Sequence, residues 1–243
     1  GLTACRAIGI ARFAGAGVNG PETAFEDTRG FLRLLNGGIA KREVLSTLGY
    51  RWRLVEPGLL FKSNPVCSAA HAAIDQMQTL MSDLNAAADD IVEIRAEVPE
   101  LVFISLVYPD PQTPQEAQFS LPFVLACVAR YGRVRFEDLT LEALHDPALR
   151  ALMEKVQVVS VPDLSTDEMR ARYPESARLT VTLKSGMQSS GFRGSAKGMP
   201  GNPQNNTELK MKFETACAFA GLRGPIEAKV GDNPAATFAR LMA

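Results

Sequence analysis

The sequence lacks the features that several common protein classes require. Its formal net charge is −1, so no excess of positive charge favours nucleic acid or an anionic membrane surface as a partner. The longest apolar run, residues 121–129, contains Pro122 and is far shorter than the roughly 20 residues of a membrane span. The opening residues show no secretory-signal pattern. We therefore expect a cytoplasmic protein that binds neither nucleic acid nor membrane.

Cysteine and histidine are both scarce, which limits metal and redox chemistry. The four cysteines are far apart and form no C-x-x-C pair, so neither a zinc site nor an iron–sulfur cluster is expected. They are Cys5, Cys67, Cys127 and Cys217. Dispersed thiols are typical of a reducing compartment. The two histidines are His71 and His145, and nothing in the sequence brings them together as a metal site. We expect no metal.

Two common catalytic motifs are also missing. The chain contains no G-x-x-x-x-G-K-[ST] loop for nucleotide phosphates and no G-x-S-x-G nucleophile elbow. The glycine-rich stretch at residues 186–201 follows a β-type run and leads into another turn, so a phosphate cradle is not expected there.

The most informative stretch is residues 61–75, FKSNPVCSAAHAAID. Pro65 restricts Asn64 to extended geometry, so Lys62 is predicted to lie in an extended segment just before a helix. His71 then falls on the first turns of that helix, near a cation and a helix N-terminus. Anions bind and protonation equilibria shift in such places. The alternative is a solvated lysine with a histidine satisfied at the edge of a packed helix.

Two further residues lie on the flank of the same helix. Cys67 precedes His71 by four residues, so the two share a helical face, and Asp75 continues that row. Cys67 is a candidate site residue, with a small core residue as the alternative. Asp75 is interpreted as a helix-surface carboxylate. Gln118 and Ser120 are interpreted as capping residues at a helix entry.

Apolar periodicity predicts the rest of the architecture. Residues 67–86 carry an apolar stripe at helical spacing, and residues 91–98 alternate as a half-buried strand does. Residues 120–132 are predicted to form a core helix that is apolar all round and stops at Gly132. A helix is predicted at residues 207–221, with an inward face formed by Leu209, Phe213, Ala216 and Ala220. Extended segments are predicted at residues 50–62, 101–108, 156–161 and 179–183, with a hairpin turn at 184–186.

This order of elements predicts an α+β fold. Helices open and close the chain around a mixed strand–helix middle. The middle is therefore predicted to be an α+β module flanked by helical elements.

A set of motifs in fixed order resembles one known family. The motifs are Lys62-x-x-Pro65 with His71 and Asp75, residues 116–123 (EAQFSLPF), Asp146-Pro147 with Lys155-Val156, residues 181–186 (VTLKSG), residues 198–203 (GMPGNP) and residues 208–213 (ELKMKF). In this order they resemble the C-terminal half of the MmgE/PrpD family, the 2-methylcitrate dehydratase-like proteins. The opening residues 1–31 are similar to the family's chain just before its smaller domain.

The resemblance implies a homodimeric enzyme that acts on small polycarboxylates without a metal or other cofactor. It assigns residues 1–48 to the end of a large helical domain, 49–200 to an α+β lid domain, and 201–243 to helices that return to the helical domain. Dehydration of 2-methylcitrate in propionate catabolism, a hydro-lyase reaction, is the favoured activity. Epimerisation of iminodisuccinate and decarboxylation of cis-aconitate are the alternatives.

The resemblance also implies roles for particular residues. Lys62 matches the family's lid lysine at the active-site cleft, and His71 lies where related proteins carry histidine. Lys62 could bind a substrate carboxylate or offset charge on an enediolate-like state, and His71 could assist binding or proton transfer. We predict that Lys62 and His71 are catalytic and that Lys62 and Cys67 bind substrate.

The family's helical domain precedes this region and supplies acid/base residues and another lysine. We therefore expect a missing N-terminal helical domain, with the chain as a fragment of an enzyme. Two alternatives stay open: the missing half belongs to another polypeptide, or the chain is a non-catalytic lid or dimerisation module.

Overall fold

The described part of the chain forms two compact units. The computed structural model of the protein describes residues 1–38, 46–52 and 54–222. One unit is Gly1–Glu56 and the other is Pro57–Ala243. The mixture of helices with a four-stranded sheet confirms the predicted α+β class. The assignment of residues 1–48, 49–200 and 201–243 to parts of two domains stays a prediction, and residues 223–243 lie outside the described part.

The first unit is helical where it is described. Helix α1 spans Leu2–Gly15 and helix α2 spans Phe31–Asn36. Gly37 ends α2 in the left-handed conformation that favours glycine after a helix. No side chain of α1 is buried. The prediction that helices open the chain is therefore confirmed.

The second unit is built on a mixed sheet in the order β2-β1-β3-β4. The strands are β1 (Ile91–Val98), β2 (Val156–Ser160), β3 (Ala177–Leu183) and β4 (Gln188–Arg193). β1 pairs with β2 in parallel and with β3 in antiparallel orientation. β3 and β4 form the hairpin predicted around residues 184–186. The alternating burial of β3 turns every second side chain toward the core.

The described part of the second unit also contains α-helices, several of which pack against this sheet. They are α3 (His71–Leu84), α4 (Glu100–Ser105), α5 (Pro114–Ala117), α6 (Leu121–Tyr131), α7 (Leu141–His145), α8 (Pro147–Met153), α9 (Asp167–Arg172) and α10 (Asn206–Phe219). α3 packs on β3 and β4, and α6 packs on α3, α8 and β2. The site described below therefore starts from a helix that is anchored in the core.

Helix α6 forms where capping chemistry and apolarity predict it. The Ser120 hydroxyl accepts a hydrogen bond from the Phe123 N–H at 3.3 Å, and Pro122 occupies the first turn. Gly132 ends the helix in the left-handed conformation. All residues from 121 to 129 are buried. The predictions of a core helix and of Ser120 as its cap are confirmed.

The prediction of an extended segment at residues 101–108 was wrong. Residues Glu100–Ser105 form α4, although Val102, Phe103 and Ile104 favour a strand by propensity. Pro99 precedes the helix in extended geometry and Glu100 supplies a carboxylate in its first turn. Val102 is buried in the core in this helical conformation. An extended segment here would need a neighbouring strand to pair with, so the short helix is favoured.

Two other local predictions were also wrong. The described residues of the predicted extended segment 50–62 form turns and coil, and Trp52 and Leu54 are exposed instead of lying in the sheet. Helix α10 confirms the predicted helix at 207–221, but it has no buried residue, so its predicted inward face is not covered. Phe219 of α10 stacks on Phe136 with ring centroids 4.7 Å apart, yet it stays exposed.

Burial along β1 predicts how two substitutions on one strand differ. Ile94 is 0% exposed and Val92 is 44% exposed. Ile94→Ala is expected to lower the free energy of unfolding by about 2–5 kcal/mol, because it leaves a cavity in the core. Val92→Ala is expected to change it by less than about 1 kcal/mol. Urea unfolding of the two variants measures both values, and equal losses would contradict this placement of the strand.

Candidate functional site

The segment around Lys62 is held against a loop that is distant in sequence. The Phe61 N–H donates to the Gly198 carbonyl at 2.9 Å. The Ser63 hydroxyl accepts from the Gln204 side-chain amide at 2.6 Å and lies 3.5 Å from the Lys197 carbonyl. The motif at residues 61–67 and the motif at residues 198–203 therefore meet in space.

The Lys62 side chain itself is exposed. Among the described residues it makes no hydrogen bond or ion pair, although the Phe61 backbone and the Ser63 hydroxyl on either side of it are hydrogen-bonded. An ammonium group on a bonded backbone can meet a ligand without first breaking a salt bridge. This placement agrees with the predicted role of Lys62 as an anion-binding lysine, which stays a prediction.

His71 is buried and bonded through both ring nitrogens. It is 1% exposed. Its Nε2 accepts from the Asn64 N–H at 3.2 Å, and its Nδ1 lies 3.1 Å from the Cys67 carbonyl. Because a carbonyl accepts and an amide N–H donates, these partners select the neutral ring with its proton on Nδ1. Burial is the main cause that lowers the pKa of His71, against the opposing effects of the Cys67 carbonyl and Asp75.

Cys67 marks the point where the extended segment becomes helical. Its N–H donates to the Gln118 carbonyl at 3.0 Å, and a short 3-10 turn, Ser68–Ala70, connects it to α3. Its side chain is partly buried. The structure thus brings Cys67 and His71 together through the Cys67 backbone, and substrate binding by the Cys67 thiol stays a prediction.

Asp75 has a larger structural role than the sequence predicted. The prediction of a helix-surface carboxylate was wrong, because Asp75 is half-buried and its Oδ2 accepts from the Lys197 N–H at 2.7 Å. Burial raises the pKa of Asp75, while that hydrogen bond and the nearby Arg193 oppose the shift. In the sequence, the signal for this role of Asp75 was its position on the same helical flank as Cys67 and His71.

A cleft of about 360 Å³ lies beside the Lys62 segment. Its walls include Ser63, Asn64 and Pro65 on one side and residues of α10 on the other. Four cations and two carboxylates line it: Arg133, Arg135, Lys197, Lys212, Asp75 and Glu208. The excess of positive side chains can attract an anion, and this effect weakens with ionic strength.

Ion pairs divide these cations into two groups. Arg135 pairs with Asp138 at 2.7 Å, and Lys197 pairs with Glu208 at 3.3 Å. In the part of the chain that the structure describes, Arg133 and Lys212 have no carboxylate within ion-pair distance. Their charge is therefore available to a ligand in the cleft.

The described residues contain neither a metal-binding cluster nor a membrane-spanning helix. No group of three or more His, Cys, Asp or Glu side chains in these ranges is arranged to hold a metal ion. None of the helices within the same ranges has both the length and the apolarity needed to cross a bilayer.

Comparison with known families gives the relation of this chain to other proteins. Residues 65–223 match the MmgE/PrpD C-terminal domain. The chain belongs to the MmgE/PrpD family. The match covers Cys67, His71, Asp75 and the motifs that follow them, and it begins after Lys62. A search of curated proteins finds no match. The resemblance inferred from the ordered motifs is confirmed, and the family includes dehydratases.

The contact between the two motifs predicts a glycine requirement. Gly198 has a φ of +90°, and a Cβ there would overlap the Phe61 carbonyl oxygen. Gly186 has a φ of +84°, but a Cβ there would meet nothing. Gly186→Ala is expected to cost about 1–2 kcal/mol for the left-handed backbone alone. Gly198→Ala should cost clearly more, because Phe61 must also move. Equal costs in urea unfolding would contradict the close approach of the two motifs.

Proposed function

We propose that the protein acts in the cytoplasm as part of a metal-independent hydro-lyase for small polycarboxylates, similar to 2-methylcitrate dehydratase. The observation that carries the proposal is the exposed Lys62 ammonium, on a segment beside a cleft whose charged side chains are mainly cationic. Membership of the MmgE/PrpD family supports the enzyme class. The proposed active form is a homodimer that includes the family's helical domain.

The charge pattern suits a substrate with several carboxylates. Lys62 can bind one carboxylate, while Arg133 and Lys212 at the neighbouring cleft lie where additional negative charge can be attracted. Charge-assisted hydrogen bonds of this kind are about twice as strong as neutral ones. A substrate with a single carboxylate would use only part of this positive surface. We therefore propose that the number of substrate carboxylates is a main source of selectivity.

The chemistry of dehydration explains why a lysine is useful here. A base removes the proton next to a carboxylate, and negative charge builds up on that carboxylate as an enediolate-like state forms. The carbon–oxygen bond of the neighbouring hydroxyl then breaks, and an acid supplies the proton that makes the leaving group water. Lys62 would stabilise the developing charge. We propose that the acid and the base belong to the helical domain.

Epimerisation and decarboxylation remain alternative activities for the same site. Both also place negative charge next to a carboxylate, so Lys62 would serve them in the same way. The product distinguishes them: an inverted stereocentre, carbon dioxide or an unsaturated acid with water.

A non-catalytic lid or dimerisation module is the second candidate function. It is favoured by α10, which has no buried residue and exposes Met211 and Phe219. Exposed apolar side chains of this size are typical of surfaces that pack against another domain or chain. On this reading Lys62 would have no effect on any reaction.

The test is turnover of 2-methylcitrate, followed by the ultraviolet absorbance of the unsaturated product. Protein that includes the family's helical domain is compared with its Lys62→Ala variant. We expect kcat/KM to fall by about 10²–10³-fold, which is typical when one group that stabilises transition-state charge is removed.

The matched control is Lys184→Ala, which removes the same charge from the exposed β3–β4 turn. It should leave kcat/KM unchanged. If the intact dimer turns over iminodisuccinate or cis-aconitate instead, the hydro-lyase assignment is wrong. If no polycarboxylate reacts, the proposed enzyme function is wrong. If Lys62→Ala behaves like Lys184→Ala, Lys62 has no part in the reaction.

A further inference from the structure

We propose that His71 is a positioning residue whose neutral imidazole ties Asn64 to Cys67 and thereby fixes the backbone that presents Lys62. The consequence for catalysis rests on the proposed function of Lys62. The two hydrogen bonds of His71 form a brace, and this brace can be tested without any substrate. The prediction that His71 also touches substrate stays separate from this proposal.

The geometry of the brace closes a short loop of backbone. The His71 ring bonds the Asn64 N–H on one side and the Cys67 carbonyl on the other. Pro65 lies between these two residues, so little freedom is left in the connecting chain. The Asn64 side chain adds a contact to the Val134 N–H at 3.4 Å. One buried side chain therefore bonds both ends of the turn.

Lys62 lies between this turn and a second anchor. On its N-terminal side the Phe61 N–H is bonded to Gly198, and on its C-terminal side Ser63 is bonded to Gln204. The His71 bond to Asn64 follows directly. Within the described ranges the Lys62 side chain is exposed and makes no hydrogen bond, whereas its neighbours on both sides are held. Loss of the brace would free the Asn64 amide and leave the C-terminal side held only through the Ser63 and Asn64 side chains. A displacement of about 1 Å at a catalytic group can cost about 10²-fold in rate.

The brace works only with the neutral ring. A protonated imidazole carries N–H groups on both nitrogens, so it would turn a donor toward the Asn64 N–H. The charged groups that act on His71 are Asp75 on α3, which favours protonation, and Lys62, which disfavours it. Burial is the largest influence and also disfavours protonation, so the pKa of His71 lies below its ordinary value of 6.5.

The sign of the pH dependence follows from this lowered pKa. As the pH falls through about 6.5, the unfolded chain takes up a proton that the folded protein does not bind. The unfolded state then binds more protons, so the free energy of unfolding decreases as the pH falls. Below the folded-state pKa the ring is protonated in both states, and the brace opens.

A histidine that only fills space in the core would behave differently. Its replacement would lower stability, but it would not selectively expose the Asn64 amide to exchange. His71→Gln, which keeps a hydrogen-bond acceptor, would then protect the Asn64 amide no better than His71→Leu. These differences allow the two roles to be separated by experiment.

The first experiment measures hydrogen exchange of the Asn64 amide by NMR in the full chain, between pH 5 and 8. His71→Leu removes the acceptor, whereas Gln in His71→Gln offers a side-chain oxygen that does not titrate. We expect His71→Leu to lose about tenfold in Asn64 protection, the loss expected for one hydrogen bond. His71→Gln should retain more protection than His71→Leu.

His145→Gln is the matched control, because it changes the other histidine, which is exposed. It should keep wild-type protection and wild-type pH dependence. Equal Asn64 protection in wild type and His71→Leu, with both proteins folded by circular dichroism, would overturn the proposal. A ring proton found on Nε2 by its ¹⁵N chemical shift would also overturn it.

The second experiment separates the brace from the proposed function. In protein that turns over a polycarboxylate, His71→Leu should lower kcat more than it changes KM, and His71→Gln should recover part of kcat and shift the acidic limb of the pH profile. If the exchange results hold but no polycarboxylate reacts, the brace stands and the proposed function fails. If turnover is found and His71→Leu leaves kcat unchanged, the positioning role fails while the proposed function stands.

Discussion

The two hydrogen bonds of His71 are the constraint on which the geometry near Lys62 depends. They require the ring to be neutral and buried, and this requires α3 to be packed in the core. Each bond contributes only about 1 kcal/mol to stability, but breaking one would leave a buried backbone group without a partner, at a cost of about 1–3 kcal/mol. The core of the larger unit thus determines where a surface lysine stands.

A second set of contacts joins the same segment to a distant loop. The Asp75 carboxylate accepts the Lys197 N–H, and the Gly198 carbonyl accepts the Phe61 N–H. These bonds connect α3, the Lys62 segment and the chain after β4. Because Gly198 has a positive φ and no room for a Cβ, this junction is specified by backbone geometry as well as by polar contacts. A site built from such segments can be rigid although it lies in loops.

The charges around the cleft are partly compensated, and this affects what they can bind. Arg135 and Lys197 already pair with carboxylates, whereas Lys62, Arg133 and Lys212 have no such partner among the described residues. The Lys197–Glu208 pair is partly exposed and contributes about 0–1 kcal/mol, whereas Asp138 in the Arg135 pair is buried. The unpaired ones face water and gain more by meeting a multiply charged ligand. Weaker binding at higher ionic strength should accompany this arrangement.

Local patterns in the sequence determined several elements by themselves. Alternation specified β1, and Ser120, Pro122 and Gly132 specified the ends of α6, because capping and periodicity act between near neighbours. The ordered motifs also identified the family. Only the tertiary structure decided that α4 is a helix, that α10 has no buried residue, and that Asp75 holds Lys197. The physical reason is distance along the chain: these outcomes depend on packing and hydrogen bonds between residues that local propensity does not relate.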